Sequence, residues 1–129
     1  MNILVTGSSG QLGQALKNNK IKTKSYKYFF KSKNNLDVTK YKKIHEFIIK
    51  NKISVIINCA AYTNVDNAEN FKIKANKINN LSVKNLSLIS KKYKILLIQI
   101  STDYVFSSNK KKIFFENDLK NPKNYYGIT

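Results

Sequence analysis

The sequence predicts an α/β fold built on a parallel sheet, and three observations predict it. A short apolar run, Asn2-Ile3-Leu4-Val5-Thr6, leads directly into a glycine turn, Gly7-Ser8-Ser9-Gly10-Gln11-Leu12-Gly13, and Ala15-Leu16 continue as helix formers. Two later runs, Ile53-Ser54-Val55-Ile56-Ile57-Asn58 and Tyr93-Lys94-Ile95-Leu96-Leu97-Ile98-Gln99-Ile100, are almost continuously apolar, which suits parallel strands covered on both faces. Between the runs, apolar residues recur at helical spacing. Strand and helix thus alternate as β-α-β-α-β-α-β within 129 residues, enough for one domain with a real core. Right-handed crossovers make this a Rossmann-like doubly wound parallel sheet, incomplete, with an expected strand order of 3-2-1-4.

The glycine turn carries the first functional expectation. A diphosphate needs strand, glycine turn and helix in that order. The glycines let the backbone come close, and the free N–H groups at the helix start face the negative charge. The spacing of Gly7, Gly10 and Gly13 is G-x-x-G-x-x-G, not the G-x-G-x-x-G of the dehydrogenase fingerprint. Gly7, Ser9, Gly10, Gln11, Leu12 and Gly13 are the candidate cofactor residues of this turn. The first helix is expected to end near Asn18-Asn19-Lys20.

The aromatic run Lys24-Ser25-Tyr26-Lys27-Tyr28-Phe29-Phe30 reads as the second strand. In a dinucleotide fold its end meets the adenosine ribose, where an acidic residue binds the 2′-hydroxyl of NAD. Here the strand ends in Phe30-Lys31-Ser32-Lys33. Lysine and serine accept a 2′-phosphate, so Lys31 is the candidate and NADPH is expected over NADH, with NADH possible. Leu36-Asp37-Val38-Thr39 follows. Asp37 is either structural or an adenine contact, with Val38 beside it. Thr39 is expected to cap a helix running to about Asn51, with Tyr41, Ile44, Phe47 and Ile48 on one face.

The loop Cys59-Ala60-Ala61-Tyr62-Thr63-Asn64-Val65-Asp66 comes at the carboxyl end of the third strand. Open α/β sheets bind ligands at that end, and small residues let a ligand lie against the backbone. Ala60, Ala61, Tyr62 and Thr63 are candidates there. A helical stretch starts at Asp66, and a long helix is expected over residues 73–92, with Ile78, Leu81, Leu86 and Ile89 at helical spacing. The fourth strand opens directly into Ser101-Thr102-Asp103-Tyr104-Val105-Phe106, which puts hydroxyls at a strand's carboxyl end. A lysine-rich loop at 107–112 follows, then Ile113-Phe114-Phe115, a break at Pro122, and Asn124-Tyr125-Tyr126-Gly127-Ile128-Thr129.

Composition narrows the class. The chain is 42% hydrophobic with only 4 glycines and 1 proline, which excludes a linker or disordered tail. No stretch approaches the roughly 18 apolar residues of a membrane span. The N-terminus lacks a basic region and cleavage site, so a cytoplasmic location is expected. The single cysteine, Cys59, allows no internal disulfide and reads as a small buried residue; the single histidine, His45, reads as structural, and no metal site is expected. The net charge of +17 suggests nucleic acid or an anionic membrane. However, the chain has no arginine, the residue favoured for bidentate guanine and phosphate contacts. Its lysines are spread out, and Lys, Asn and Ile are inflated together, as A/T-rich codons would make them. Neither a nucleic-acid nor a membrane partner is expected.

Four stretches now align with one family. Residues 5–13, 36–39, 58–69 and 101–106 together resemble the dTDP-4-dehydrorhamnose reductases, among the extended short-chain dehydrogenase/reductases. The motifs keep their order from residue 1 to 129. The resemblance implies reduction, by NADPH or NADH, of the 4-keto group of dTDP-6-deoxy-L-lyxo-4-hexulose, so a sugar nucleotide is the implied substrate and a homodimer is possible. It implies a catalytic hydroxyl at Thr102, a catalytic tyrosine at Tyr126 and a lysine immediately after Thr129. Physically, a phenol can give the carbonyl oxygen a proton, a neighbouring ammonium lowers its free pKa of about 10, and a threonine hydroxyl orients the carbonyl. Tyr125 is a rival to Tyr126. The resemblance makes residues 1–129 an NAD(P)-binding domain truncated on its C-terminal side, without the substrate domain, and little turnover is expected of it alone. The alternatives are a non-catalytic NADP-binding regulatory module, as in subunits of methionine adenosyltransferase, and another sugar-nucleotide reductase or epimerase.

Overall fold

A computed structural model describes residues 1–21, 23–107 and 113–129. Beyond Ser107, the expected lysine-rich loop lies outside the described residues. Strand β1 is Asn2–Thr6, helix α1 Gln11–Asn18, β2 Lys27–Lys31, α2 Tyr41–Lys50 and β3 Val55–Asn58. Then come α3 Val65–Asn70, α4 Lys72–Asn76, a π-helical segment Lys77–Leu81, α5 Ser82–Tyr93, β4 Leu96–Gln99, a 3-10 turn Asp103–Val105 and α6 Tyr125–Ile128. No helix among the described residues is long and apolar enough to cross a membrane.

The four strands form one parallel sheet, as expected, but the order is β2-β1-β3-β4 and not 3-2-1-4. The third strand pairs with β1, not outside β2. Val55 and Ile56 point to opposite faces and are both buried, which requires cover on both sides and an interior place. Strand β2 begins and ends in lysine, and it takes the edge. The crossover through α2 therefore passes over β1, and this reversal puts helices on both faces. Leu4 and Ile56 pack with Ile44 and Ile48 of α2 and Leu86 and Ile89 of α5. Ile3, Val5 and Val55 pack on the other face with Leu16 of α1. Each fully buried Leu or Ile contributes about 1.5–3 kcal/mol.

Leu36 and Val38 belong to the first of these clusters, so the turn after β2 is pinned under the sheet. Thr39 does not cap α2. Lys40 holds the cap position without a side-chain bond, and the Thr39 hydroxyl donates instead to Asp37 Oδ1, 2.8 Å away. The single long helix expected over 73–92 is interrupted by the π segment, whose wider turn shifts the phase of the apolar positions. Leu81, expected on the apolar face, is 47% exposed, whereas Leu86 and Ile89 are buried.

Lys94 follows helix α5 as its C-terminal cap, at φ +54°, ψ +43°, the left-handed region. A Cβ costs about 1–2 kcal/mol there, of which glycine's greater unfolded-state freedom returns part. Lys94→Gly is expected to raise the unfolding free energy in urea by about 0.5–1 kcal/mol. An unchanged or lower midpoint would show that the lysine side chain offsets its own strain.

Candidate functional site

The site lies at the carboxyl ends of β1, β3 and β4. Gly7 leaves β1 at φ +62°, and a Cβ on it would sit 2.6 Å from backbone atoms of Cys59 and Ala60. A side chain has no room where the turn after β1 touches the loop after β3. The Gly10 N–H donates to the Gly7 carbonyl at 3.0 Å, and Ser8 N–H donates to the Lys31 carbonyl at 3.1 Å, tying the turn to β2. A Cβ on Gly13 would lie 2.5 Å from the Gly7 carbonyl oxygen, so this glycine lets α1 start close to the turn. No side chain caps α1, and its first turn holds no acidic residue. Its N-terminal partial positive charge is therefore left for an anion.

Beneath the turn, three side chains form a polar row in register across the sheet, Thr6–Asn58–Gln99. The Thr6 hydroxyl donates to Asn58 Oδ1. Asn58 Nδ2 donates to Gln99 Oε1 at 2.8 Å, and Gln99 Nε2 to the Ile100 carbonyl at 2.8 Å. Thr6 and Asn58 are fully buried. Sequence reasoning missed this row. Its signal was a polar residue near the carboxyl end of each apolar run, Asn58 and Gln99, where the pattern of the run called for an apolar one.

Two adjoining cavities open above the row. The first has a volume of about 510 Å³, within the range of small-ligand sites. It brings together Gly7, Ser9, Gly10, Gln11 and Leu12 from the turn, Asp37 and Val38, Ala60, Ala61 and Thr63, and Tyr126. The second, of about 450 Å³, shares Ala60, Ala61 and Tyr126 and adds Thr102. Gly13, Tyr62 and Lys31 line neither cavity. Lys31 stands in register with Thr6, two residues on from Phe29, so its side chain lies on the α2 face. There its ammonium sits over the Phe47 ring, 5.0 Å from the centroid. Lys33 lines the first cavity in its place.

Asp37 serves its own turn as well as facing the cavity. Its Oδ1 accepts from the Thr39 N–H at 2.9 Å and from the Thr39 hydroxyl. Burial works to raise its pKa, but these two bonds, with the Lys33 and Lys40 ammoniums, together hold it below the usual value. The Cys59 thiol is pushed up by burial, which disfavours the nucleophilic thiolate. His45 joins α2 to α5 through the Tyr93 hydroxyl at 2.9 Å and lines neither cavity.

Three contacts set the short helix that carries Tyr126. Asn124 Oδ1 accepts from the Gly127 N–H at 2.8 Å, and Glu69 Oε1 accepts from the Tyr125 N–H at 2.7 Å. The Tyr104 ring meets Tyr126 edge-on, with centroids 5.5 Å apart. A Cβ on Gly127 would collide with the Tyr104 carbonyl oxygen, so only glycine permits this docking. Of the two adjacent tyrosines, Tyr126 lines both cavities, while the Tyr125 ring lies under the Lys72 ammonium at 5.4 Å. Thr102 accepts the Tyr104 N–H at 3.2 Å and so caps the 3-10 turn beside them.

Comparison with known proteins gives a consistent picture. A family described as RmlD substrate binding domain matches residues 1–129. A dTDP-4-dehydrorhamnose reductase of Aggregatibacter actinomycetemcomitans is 34% identical over 97% of this chain and 42% of its own length. The crystal structure of a Clostridium acetobutylicum protein of the same name superposes with a TM-score of 0.92 at 38% identity, over 99% of this chain and 45% of that one. The Bacillus anthracis reductase, solved in complex with NADP, has a TM-score of 0.92 at 32% identity, over 98% and 45%. The chain thus spans less than half the length of the relatives it matches.

Proposed function

Because the chain belongs to the RmlD substrate binding domain family, we propose that it is the cofactor-binding portion of a dTDP-4-dehydrorhamnose reductase. In this reading the whole protein uses NADPH, with NADH as the weaker alternative, to reduce the 4-keto group of dTDP-6-deoxy-L-lyxo-4-hexulose to dTDP-L-rhamnose. One observation carries the reading above the others. The uncapped, acid-free start of α1 and the side-chain-free Gly7 and Gly10 open into a cavity that also reaches Tyr126.

The residues present fit a dinucleotide. The N–H groups at the start of α1 would hold the diphosphate, and Lys33 a 2′-phosphate. Ala60 and Ala61 let the ligand lie against the backbone at the end of β3. When bound, NADPH supplies the hydride. Tyr126 gives its phenol proton to the substrate oxygen, and the Thr102 hydroxyl donates to the same oxygen and fixes the reacting face. Gly127 and Glu69 hold the tyrosine's helix in place for that transfer.

Titration of the chain with NADPH and NADH, followed by cofactor fluorescence, tests the reading. Saturable NADPH binding is expected, with NADH weaker. Absence of binding to both would overturn it. Lys33→Glu is expected to lower the ratio of NADPH to NADH affinity by about tenfold, the scale of one charge-assisted contact. Lys31→Ala is expected to leave that ratio within about twofold, since its ammonium is occupied over Phe47. The opposite ranking would return the 2′-phosphate to Lys31.

A further inference from the structure

Residues 1–36 carry seven lysines and no carboxylate; the first acidic residue of the chain is Asp37. They build β1, α1 and β2, so the β2 edge of the sheet has positive charge and no counter-charge from its own elements. Spread along the sequence, these lysines spoke against a nucleic-acid partner. The fold gathers three of them on an aromatic edge strand.

Tyr28 and Phe30 pack beside Leu16 on the α1 face, and Tyr26 extends their row. Tyr26 meets Tyr28 edge-on with centroids 6.4 Å apart, and Tyr28 stacks on Phe30 at 5.7 Å with 17° between the planes. Lys20, just past α1, holds its ammonium 5.9 Å from the Phe30 centroid. On the other face, Lys27 lies over Phe29 at 5.3 Å and Lys31 over Phe47 at 5.0 Å. Tyr26 is 36% exposed, and Tyr28 and Phe30 are half-buried.

Rings and ammoniums along one strand suit single-stranded nucleic acid, whose bases stack on the rings while lysines take the phosphates. Binding of this kind reads no sequence, so it does not need arginine, which the chain lacks. Rings half-buried at the level of the sheet cannot reach into a bilayer, whereas a base can come down onto them.

We propose that the β2 edge binds single-stranded nucleic acid without sequence preference, with Tyr26, Tyr28 and Phe30 as the stacking row and Lys20, Lys27 and Lys31 as the phosphate contacts. None of the six lines either cavity, so the site is separate from the cofactor site and independent of the NADPH reading.

Fluorescence anisotropy with a labelled oligothymidylate of about 20 nucleotides tests it. Saturable micromolar binding is expected at about 50 mM salt, weakening as salt rises with a log–log slope of about −2, the counterion release of three phosphate contacts on a single strand. Absence of binding would overturn the proposal, as would displacement of the oligonucleotide by saturating NADPH. Tyr26→Ala is expected to weaken the oligonucleotide about tenfold but dextran sulfate, which has charge and no bases, less than twofold, while Tyr26→Phe retains both. Equal weakening of the two polyanions, or of neither, would refute the stacking row. Lys20→Glu with Lys27→Glu is expected to abolish binding, whereas Lys91→Glu with Lys92→Glu, the same charge change on α5, is expected to cost less than about threefold. Equal losses would mean that the attraction is diffuse and the edge is no site.

Discussion

Gly7→Ala is expected to abolish measurable NADPH binding and to lower stability by about 3–5 kcal/mol, a large part of the 5–15 kcal/mol typical of a domain. Two costs combine. The residue sits at φ +62°, where a Cβ strains the backbone. That Cβ would also lie 2.6 Å from the Cys59 carbonyl and the Ala60 nitrogen, and backbone cannot swing aside as a side chain can. Relief requires the turn after β1 and the loop after β3 to separate. These are the two walls of the first cavity, so binding falls with stability. Urea unfolding and NADPH titration on the same preparation check both. A stable Gly7→Ala chain that binds NADPH normally would show that the two loops are free to move apart without consequence.

The second large effect is expected at Asn58. Asn58→Leu leaves the Thr6 hydroxyl without its acceptor and Gln99 Oε1 without its donor, next to a position that is fully buried. The Thr6 hydroxyl is fully buried, so leaving it unpaired costs about 1–3 kcal/mol, whereas the exposed Gln99 amide can turn to water. Adding Thr6→Val removes the orphaned donor along with its former acceptor. The double variant is expected to recover about 1–2 kcal/mol over Asn58→Leu alone, because replacing both partners by apolar groups is nearly neutral. Urea denaturation of the unaltered chain, both single variants and the pair closes this cycle. Strict additivity would mean that Thr6 and Asn58 contribute independently.

Both experiments act on residues whose visibility in the sequence differed. Gly7 was conspicuous, since a glycine directly after an apolar run is a local pattern. Asn58 was not, because its partners Thr6 and Gln99 come from strands 52 and 41 residues away. The rival tyrosines show the same division. Their adjacency left two candidates, and the docking of Gly127 under Tyr104 is what turns Tyr126 toward the cavities. Lys31 and Lys33 are only two residues apart, but Lys31 ends β2 and Lys33 lies in the turn beyond it. Only the register of β2 against β1 reveals that Lys31 belongs to the α2 face.

By itself, the sequence determined what is local: alternating strands and helices, the glycine turn, the loops at strand ends, and a family resemblance carried by contiguous motifs. Apolar period and glycine placement are properties of a few adjacent residues, so they can be read without knowing what lies across the sheet. The tertiary structure alone decided the order β2-β1-β3-β4, the π segment that interrupts the long helix, and the polar row beneath the site. Each of these depends on which surfaces meet. Strand order follows from which strand can be buried on both faces, and a polar side chain becomes part of a site only when a distant partner arrives to satisfy it.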